Sequence, residues 1–409
     1  MGCDFYMTEK YDIIIIGGGM VGASLVAALK NHTDKKIAVI EAQPFQSADQ
    51  PSFDDRSIAL SYGSRRIWEG IGLWARLAPQ IQAIKNIHVS DRGHFGSTRI
   101  SYKEERVEAL GYVVENRVMG QVLMDEIASL KHVDWYSPAT IESLLQTPDS
   151  VCVSLKYNKK KKSLQAKLLV AADGVQSLTR ELAGLDIKQE DYQQSAIIAN
   201  IQTDQSHNGI AYERFTESGP LAFLPMTENR YSVVWTCHSH EQQNIMDMDD
   251  KAFICELQKR FGYRAGIIQK TGERFSYPLK YTEAEQLCKG RVVIIGNAAH
   301  ALHPVSGQGY NLALRDVAEL AEMITAAHDP GHPLLLEEYH AKRRKDMQRV
   351  YRITDIMVKV FSNDCAPLGH LRASALMGLN MCQPLRSLMA RQSMGLLGKM
   401  NKLQRRLPI

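Results

Sequence analysis

Residues 11–41 read YDIIIIGGGMVGASLVAALKNHTDKKIAVIE, and this stretch decides the fold of the chain. Residues 11–16 form an apolar, mostly β-branched run that is typical of a buried strand. Residues 20–30 then predict a helix, and residues 37–40 predict a second buried strand that ends at Glu41. A strand, a glycine turn, a helix and a second strand make a βαβ unit, so the sequence predicts an α/β protein with a Rossmann-like first segment.

Three glycines stand between the first strand and the helix: Gly17, Gly19 and Gly22, at G-x-G-x-x-G spacing. In such a unit the first glycine allows a tight turn, the second lets the backbone approach a pyrophosphate, and the third lets helix and strand pack closely. The helix N-terminus offers free N–H groups to the diphosphate. Glu41 would accept hydrogen bonds from ribose hydroxyls and would repel a 2′-phosphate, so the motif predicts FAD or NAD rather than NADP.

Two distant segments favour FAD over NAD. Residues 171–180 read AADGVQSLTR after an apolar strand, and residues 296–316 read GNAAHALHPVSGQGYNLALRD after another. Asn297 follows a predicted parallel strand, at the edge where ligands bind in open α/β sheets. Gly307 and Gly309 let backbone N–H groups approach a flat ring, and the next helix N-terminus stabilises negative charge on that ring. The predicted flavin site comprises Gly296, Asn297, Pro304, Gly307, Gln308, Gly309 and Asn311.

The remaining segments indicate a discontinuous nucleotide-binding domain with sheet insertions. Residues 188–285 contain several candidate strands and few helices, whereas residues 57–72 read as a helix. The sequence therefore predicts the following division: an FAD-binding domain from 1–75, 111–187 and 286–365, a substrate-domain insertion at 76–110, a β-sheet substrate domain at 188–285, and a C-terminal helical tail at 366–409.

The composition is that of a globular protein, with 44% hydrophobic and 23% charged residues and a formal net charge of +4. This small positive excess carries no basic arm and no aromatic-basic motif, so we expect no nucleic-acid partner. The 7 cysteines lack Cys-x-x-Cys spacing, which indicates reduced thiols in a cytoplasmic protein and predicts no metal site. No run reaches the ~20 apolar residues that a membrane span needs, and no secretory signal is expected.

The three motifs, in this order and over nearly the whole chain, resemble the fingerprints of class A flavoprotein aromatic hydroxylases, the relatives of para-hydroxybenzoate hydroxylase. The resemblance is carried by Gly17, Gly19, Gly22, Asp173, Gly174, Ser177, Arg180, Gly296, Asn297, Ala298, Ala299, His300, Pro304, Gly307, Gln308 and Gly309. Within that family, DRSIALS at 55–61, GLW at 72–74, YVVEN at 112–116 and GPLAFLP at 219–225 look like the ubiquinone-biosynthesis hydroxylases. Asn297 stands where most of the wider family has Asp and is similar to the 2-octaprenyl-6-methoxyphenol hydroxylase branch.

The resemblance implies a para-hydroxybenzoate-hydroxylase-type FAD-binding domain with an inserted β-sheet substrate domain and a helical C-terminal region. It implies a monooxygenase that hydroxylates a polyprenyl phenol in ubiquinone biosynthesis with FAD, NAD(P)H and O2, through a C4a-hydroperoxyflavin. FAD carries this chemistry, so the reaction requires no protein nucleophile and no metal. By position, the resemblance assigns Arg56, Arg117, Asp173 and Gly174 to the cofactor, beside the glycine motifs and Glu41.

Five further residues are candidates for a role toward the substrate. His300 and His303 follow the third predicted strand closely and are candidates to help deprotonate the phenol, although a structural role is the ordinary one for a buried histidine. Tyr212, Phe223 and Trp235 are candidates to line a substrate pocket. Simple core packing is the ordinary explanation for each of these aromatic residues.

Residues 368–407 are rich in Leu and Met and carry several Lys and Arg side chains. They predict either a basic amphipathic surface that meets a membrane or a ubiquinone-biosynthesis complex, or a helical layer packed on the core. A lipophilic phenolic substrate would favour a cytoplasmic protein with peripheral contact at the inner membrane. Two alternatives stay open: an FAD oxidoreductase of other chemistry, such as an epoxidase or prenyl reductase, and a non-catalytic flavoprotein subunit. The sequence leaves ring position, prenyl length, nicotinamide preference and oligomeric state open.

Overall fold

The computed structural model describes residues 8–32, 34–44, 56–94, 96–304, 307–361 and 377–409. For residues 357–361 it describes the helix but not the side chains. Asp55 of the DRSIALS stretch and residues 366–376 of the predicted tail lie outside these ranges. Within the described ranges, no helix is long and apolar enough to cross a membrane.

The described residues form both strands and helices, with several strands following one another directly in the middle of the chain. In chain order the strands are β1 (Glu9–Ile16), β2 (Ile37–Ile40), β3 (Ser57–Ser61), β4 (Gln82–Ile84), β5 (Asn86–Asp91), β6 (Ser97–Ser101), β7 (Gly111–Glu115), β8 (Val133–Tyr136), β9 (Ala139–Gln146), β10 (Val151–Tyr157), β11 (Lys160–Ala171), β12 (Ile187–Thr203), β13 (Ile210–Thr216), β14 (Gly219–Met226), β15 (Arg230–His238), β16 (Ile268–Ala284), β17 (Cys288–Lys289), β18 (Val292–Ile294) and β19 (His300–Ala301). The helices are α1 (Met20–Ala28), α2 (Tyr62–Ile71), α3 (Trp74–Leu77), α4 (Asn116–Ile127), α5 (Leu178–Leu182), α6 (Gln242–Met246), α7 (Asp250–Phe261), α8 (Gln308–Ala326), α9 (Pro333–Phe361) and α10 (Gln383–Ser393).

The first sheet has the strand order β17-β18-β11-β1-β2-β8, and β11, β1, β2 and β8 run parallel. Ile13 pairs with Leu168 of β11 on one side and with Ile37 of β2 on the other. A parallel strand with neighbours on both sides and covered faces needs a continuous apolar run, which residues 13–16 supply. Helix α1 packs against α4 and α8. The predicted βαβ unit is therefore present, with its glycine turn at the carboxyl edge of the sheet.

The second sheet has the order β19-β16-β12-β15-β14-β13-β5-β6 and is mostly antiparallel. Its two faces have different partners because successive side chains in a strand point to opposite faces. One face forms a core with Phe253 and Leu257 of α7, to which Ile197 and Trp235 contribute. Neither α6 nor α7 covers the opposite face, which forms one wall of a cavity.

A third sheet of β3, β7 and β4 links the two larger sheets and corrects one expectation. The prediction of a helix over residues 57–72 was wrong for its first part, because β3 pairs antiparallel with β7 from Ser57 to Ser61. Helix α2 begins only at Tyr62, where the Ser61 side chain accepts a hydrogen bond from the Ser64 N–H. It ends at Gly72, which has a φ of 82°. Pairing with β7 outweighs the local helical periodicity.

The C-terminal residues return to the first half of the chain. Leu403 is buried, and a side chain at Gly70 of α2 would lie 2.6 Å from the Leu403 carbonyl oxygen. Ala390 and Met394 are buried near Leu110. Part of the predicted tail is therefore a packed layer. The proposed boundaries of the individual domains stay a prediction.

Candidate active site

The first glycine turn leaves no room for side chains. Gly17 has a φ of 98°, and a Cβ there would lie 2.4 Å from the Ala172 carbonyl oxygen. A Cβ at Gly22 would lie 1.9 Å from the carbonyl oxygen of Gly17. Gly19 caps α1 with no side-chain hydrogen bond, so the orphan N–H groups of the first turn are left for an anion. The turn thus has the geometry that a diphosphate requires.

Glu41 closes this end of the cavity. It follows β2, and its carboxylate accepts the Gly18 N–H at 2.6 Å and the Gln43 N–H at 2.9 Å. These two bonds fix the carboxylate against the glycine turn. A carboxylate offers about four acceptor positions, so Glu41 retains capacity for the hydroxyls of a ribose.

The second motif, residues 171–180, is held together by its own side chains. Asp173 lines the cavity, but its carboxylate accepts hydrogen bonds from the Ser177 hydroxyl and from the N–H and hydroxyl of Thr179. Arg180 donates to the Ala298 carbonyl oxygen at 2.9 Å. The carboxylate of Asp173 shapes the loop, and Arg180 joins the second motif to the third. Gly174, with a φ of 86°, also lies on the cavity wall, with no atom near its missing Cβ.

The third motif, residues 296–316, brings backbone and one amide to the cavity. Asn297 is exposed there and has no hydrogen bond to any residue that the structure describes. Gly296 and Gly307 have positive φ values of 58° and 57°. Gly307 caps α8, and the missing Cβ of Gly309 in its first turn faces open space. Pro304 completes this part of the wall.

Asn311 and Gln308 line the cavity but are already bonded to neighbouring segments. The Asn311 amide donates to the Ala59 carbonyl oxygen at 2.8 Å, and its oxygen accepts the Ser61 N–H at 2.8 Å. Gln308 donates to the Ser393 carbonyl oxygen at 3.3 Å. These two side chains fix α8 against β3 and against the C-terminal segment. Their sequence-predicted role toward the flavin stays a prediction.

A buried ion network supports the third motif from behind. Asp316 lies 2.6 Å from His300 Nε2, 2.7 Å from Arg343 Nε and 3.1 Å from the N–H of Gly296. Arg343 also contacts Asp346 at 2.7 Å. Burial acts to raise the pKa of Asp316, but His300 and Arg343 outweigh it and hold that pKa at about 2. His300 is held by Asp316 and does not line the cavity. It therefore supports the third motif and does not contact a ligand in the cavity.

His303 is buried behind the cavity as well. Its Nε2 lies 3.3 Å from the Gln194 amide oxygen, and its ring meets Tyr192 edge-on at 5.3 Å. Burial lowers the pKa of His303 to about 4, so the imidazole is neutral at neutral pH. It does not line the cavity.

The two arginines assigned by resemblance lie on neighbouring backbone segments, because the Asn116 N–H donates to the Arg56 carbonyl oxygen at 2.8 Å, but only one of them lines the cavity. Arg56 lines the cavity, and its guanidinium lies 4.7 Å from the centre of the Tyr277 ring, which lines it too. Arg117 is about half exposed and pairs with Glu115 at 2.7 Å, and it is not part of the cavity wall. Only Arg56 is thus brought to the candidate site.

The predicted aromatic substrate residues lie mainly on the wrong face of the second sheet. Phe223 stacks on Phe261 at 3.7 Å, and Trp235 packs against α7, so both belong to the helix-covered core. Tyr212 borders the cavity, but its ring meets Phe261 at 5.5 Å. The opposite parity faces the cavity instead, and it includes Glu213, which the sequence reasoning missed. Strand alternation groups these residues on one face of the sheet, but by itself it does not show that this face borders the cavity.

All these segments border one cavity of about 1320 Å³. A pocket for a single drug-sized molecule measures roughly 300–1,000 Å³, so this cavity can hold a dinucleotide and a further ligand. The glycine turn with Glu41 lies at one part of its wall, and apolar residues of the second sheet form another. Gly17 and Gly22, where a Cβ would collide with backbone, fit the diphosphate of FAD, and open space beside Gly309 fits its ring.

The fold and site define a flavoprotein: the FAD binding domain family matches residues 10–354, and the chain belongs to that family. The chain is 37% identical over 391 residues to the ubiquinone hydroxylase UbiL of Rhodospirillum rubrum, covering 94% of this chain and 90% of that protein. It is 28% identical over 396 residues to the 3-demethoxyubiquinol 3-hydroxylase of Escherichia coli, covering 95% and 99%. Its fold matches p-nitrophenol 4-monooxygenase PnpA of Pseudomonas putida with a TM-score of 0.81 at 17% identity, covering 96% of this chain and 100% of that one. The predicted fold class, the resemblance to class A flavoprotein hydroxylases and the FAD cofactor are confirmed.

Proposed function

We propose that this chain is an FAD-dependent monooxygenase that hydroxylates the ring of a polyprenylated phenol in ubiquinone biosynthesis, with NAD(P)H and O2 as co-substrates. The observation that carries the proposal is the continuity of one cavity from the glycine turn to the apolar face of the second sheet. Relatives named ubiquinone hydroxylase and 3-demethoxyubiquinol 3-hydroxylase, aligned over nearly the whole chain, support the reaction and the pathway.

The chain's own residues bind and orient the reactants. When bound, FAD supplies the acceptor for a hydride from NAD(P)H and the means to transfer one oxygen atom of O2. The N-terminus of α1 after Gly19 would hold the diphosphate, and Glu41 would hold a ribose. Asn297 and the first turn of α8 at Gly309 would border the flavin ring, where the helix dipole stabilises negative charge.

The sheet wall suits a lipophilic ring and excludes water from it. The side chains on this face are apolar over most of its width, and they include Ile87, Val89, Ile198, Leu224 and Val234. The wall continues into the C-terminal segment through Leu379, Leu388, Met389 and Leu397. Water exclusion protects reactive intermediates from hydrolysis, and the extended apolar wall offers space for a prenyl chain.

We also propose that α10, together with Met381 two residues before it, contacts a membrane surface and admits the substrate. Met381, Leu385 and Leu388 are 81%, 46% and 52% exposed, and Leu388 also lines the cavity. Exposed apolar residues of this size beside cationic Arg391 fit a peripheral contact with anionic lipid. A substrate drawn from lipid would then enter the cavity beside α10.

The reaction is tested with the purified, FAD-loaded protein. NAD(P)H oxidation and O2 uptake should rise when a prenylated phenol is added, and mass spectrometry should find a product with one additional oxygen atom. Oxidation that does not depend on the phenol, without an oxygenated product, would favour a different FAD oxidoreductase. A flavin that NAD(P)H does not reduce would favour a non-catalytic flavoprotein subunit.

The membrane contact is tested by co-sedimentation with vesicles of mixed anionic and neutral phospholipid. The double variant Met381→Gln, Leu388→Gln should lose most vesicle binding, because two exposed apolar side chains would then be polar. Leu145→Gln, which changes an exposed leucine of β9, is the matched control and should bind as the unaltered protein does. Equal binding of all three proteins, or vesicle-independent capture by a protein complex, would contradict a membrane role for α10.

A further inference from the structure

Glu213 is the one ionisable residue in a mostly apolar row across the cavity face of the second sheet. In β13 it pairs with Val89 of β5 and with Ala222 of β14. The row continues from Val89 to Thr98 and from Ala222 to Val234. Every member of this row lines the cavity. A carboxylate at its centre is therefore aimed at whatever occupies the sheet end of the cavity.

No described residue forms a hydrogen bond or an ion pair with the Glu213 side chain. On the same face of β5, Asp91 pairs with His94 at 3.2 Å, and the cavity-facing residues of β6 and β14 are not ionisable. Among the described residues, the cations on the cavity wall are Arg56, Arg349 and Arg386. Arg56 stacks on Tyr277, and Arg386 pairs with Glu104 at 3.1 Å. None of these groups offsets the burial of Glu213.

Burial alone raises the pKa of Glu213 to about 7. An unpaired carboxyl in an apolar wall is costly unless a ligand supplies its hydrogen bond. A phenol hydroxyl is such a donor, and it would be the one polar group of an otherwise apolar ring and prenyl chain. A group that titrates near neutral pH is also well matched to accept a proton in a reaction at that pH.

We propose that Glu213 is the catalytic residue that accepts the ring hydroxyl of the substrate and takes its proton as the ring is oxygenated. The proposal rests on the phenol hydroxylation proposed above. Glu213 lies outside the three cofactor motifs, so its effect is separable from FAD binding. A deprotonated ring oxygen increases the electron density of the ring, which strengthens its attack on electrophilic oxygen.

The step balances with the co-substrates already named. The hydroxyl proton moves to a Glu213 carboxylate oxygen, and one oxygen atom of O2 bonds to a ring carbon. That carbon then loses its hydrogen as a proton, which joins the second oxygen atom as it leaves in water, and Glu213 returns its proton to the ring oxygen. NAD(P)H supplies the two electrons, and the net uptake is one O2, one NAD(P)H and one proton per hydroxylated ring.

The test compares Glu213→Gln with the unaltered enzyme, both loaded with FAD. In the unaltered enzyme, the rate of ring oxygenation in a single turnover should rise with pH through about 7, because the carboxylate is the active form. The variant should lose this pH-dependent limb and roughly 100-fold in rate, the scale of one general base. Its preference for the phenol over the O-methyl ether in equilibrium binding should also fall, because an uncharged amide oxygen is a weaker acceptor than a carboxylate. Glu273→Gln, at an exposed position of β16, is the matched control and should change neither readout.

The outcomes separate this proposal from the proposed function. If the unaltered enzyme forms no oxygenated product, the function fails, and the phenol-to-ether binding ratio still tests Glu213 as the acceptor. If the unaltered enzyme oxygenates the phenol and Glu213→Gln keeps its rate and pH limb, the role of Glu213 fails alone. Because the variant removes an unpaired, partly buried carboxyl from an apolar wall, its melting temperature should equal or exceed that of the unaltered protein. A variant that loses the fold would make Glu213 structural and would overturn the proposal.

Discussion

The two ends of the cavity bury carboxylates in opposite ways. Behind the flavin end, Asp316 is held between His300 and Arg343, and its pKa lies at about 2. On the sheet wall, Glu213 has no partner among the described residues, and its pKa lies at about 7. A buried charge with partners inside the protein stabilises the fold, whereas a partly buried carboxyl on a cavity wall without such partners is available to a ligand. We therefore infer that Asp316 stabilises the fold and that Glu213 is available for a role toward the substrate.

The largest effect is expected at the flavin end, where backbone atoms leave no space. Gly22→Ala places a Cβ that would need the Gly17 carbonyl oxygen, now 1.9 Å away, to move. We expect FAD affinity to fall by at least roughly 1,000-fold, or about 4 kcal/mol, as measured by flavin fluorescence quenching. Gly378→Ala, where no atom lies within 4 Å, should leave the affinity unchanged. Retained affinity in Gly22→Ala would remove the steric basis of the diphosphate site.

A smaller but still large effect is expected from Asp316→Asn. Removing one charge from a buried ion pair costs on the order of 3 kcal/mol, because the remaining charges lose their partner. The depressed pKa of Asp316 means that its stabilisation is complete above its ordinary value of 3.8 and declines as the pH falls toward about 2. Denaturant unfolding from pH 7 to pH 3 should show this decline in the unaltered protein and a weaker one in the variant.

Asp149→Asn, at an exposed position in the turn between β9 and β10, is the control for that measurement. It should match the unaltered protein at every pH. If Asp316→Asn were as stable as this control, the buried ion network would not support the third motif. The contrast between Asp316 and Glu213 would then rest on Glu213 alone.

The smallest effect is expected at Glu41. Its carboxylate already accepts the Gly18 N–H at 2.6 Å, and Glu41→Gln would retain an acceptor of similar shape but without charge. We expect FAD affinity to fall about ten-fold, which corresponds to about 1.4 kcal/mol. Glu142→Gln, which changes an exposed glutamate of β9, is the control. Affinity unchanged in Glu41→Gln would indicate that the ribose is bound by other groups.

The flavin end could be predicted from the sequence because its requirements are local. The positive φ of Gly17 and the close approach of Gly22 to the Gly17 carbonyl oxygen are set within a few residues, and the apolar run of β1 indicates a buried strand. The second motif shows where this reasoning ends. Ser177 and Arg180 were recognised as part of a pattern, but only the fold reveals that Arg180 bonds to Ala298, more than a hundred residues away.

The sheet end could not be predicted to the same depth, because the sequence does not state which face of a strand meets the cavity. Phe223 and Trp235 face α7, and their neighbours of opposite parity line the cavity. A glutamate in an alternating strand reads as solvent-facing, so Glu213 carried no signal by itself. Strand β3 was missed for a related reason, since its pairing with β7 is set by residues about 50 positions away.

The central claim is that three separated segments of this chain bind one FAD. The most direct test is the flavin content of the purified protein, read from its absorbance and followed by titration of flavin-stripped protein with FAD. The structure predicts a yellow protein that binds one FAD per chain, with affinity lost in Gly22→Ala. A colourless protein that leaves added FAD free in solution would contradict the claim.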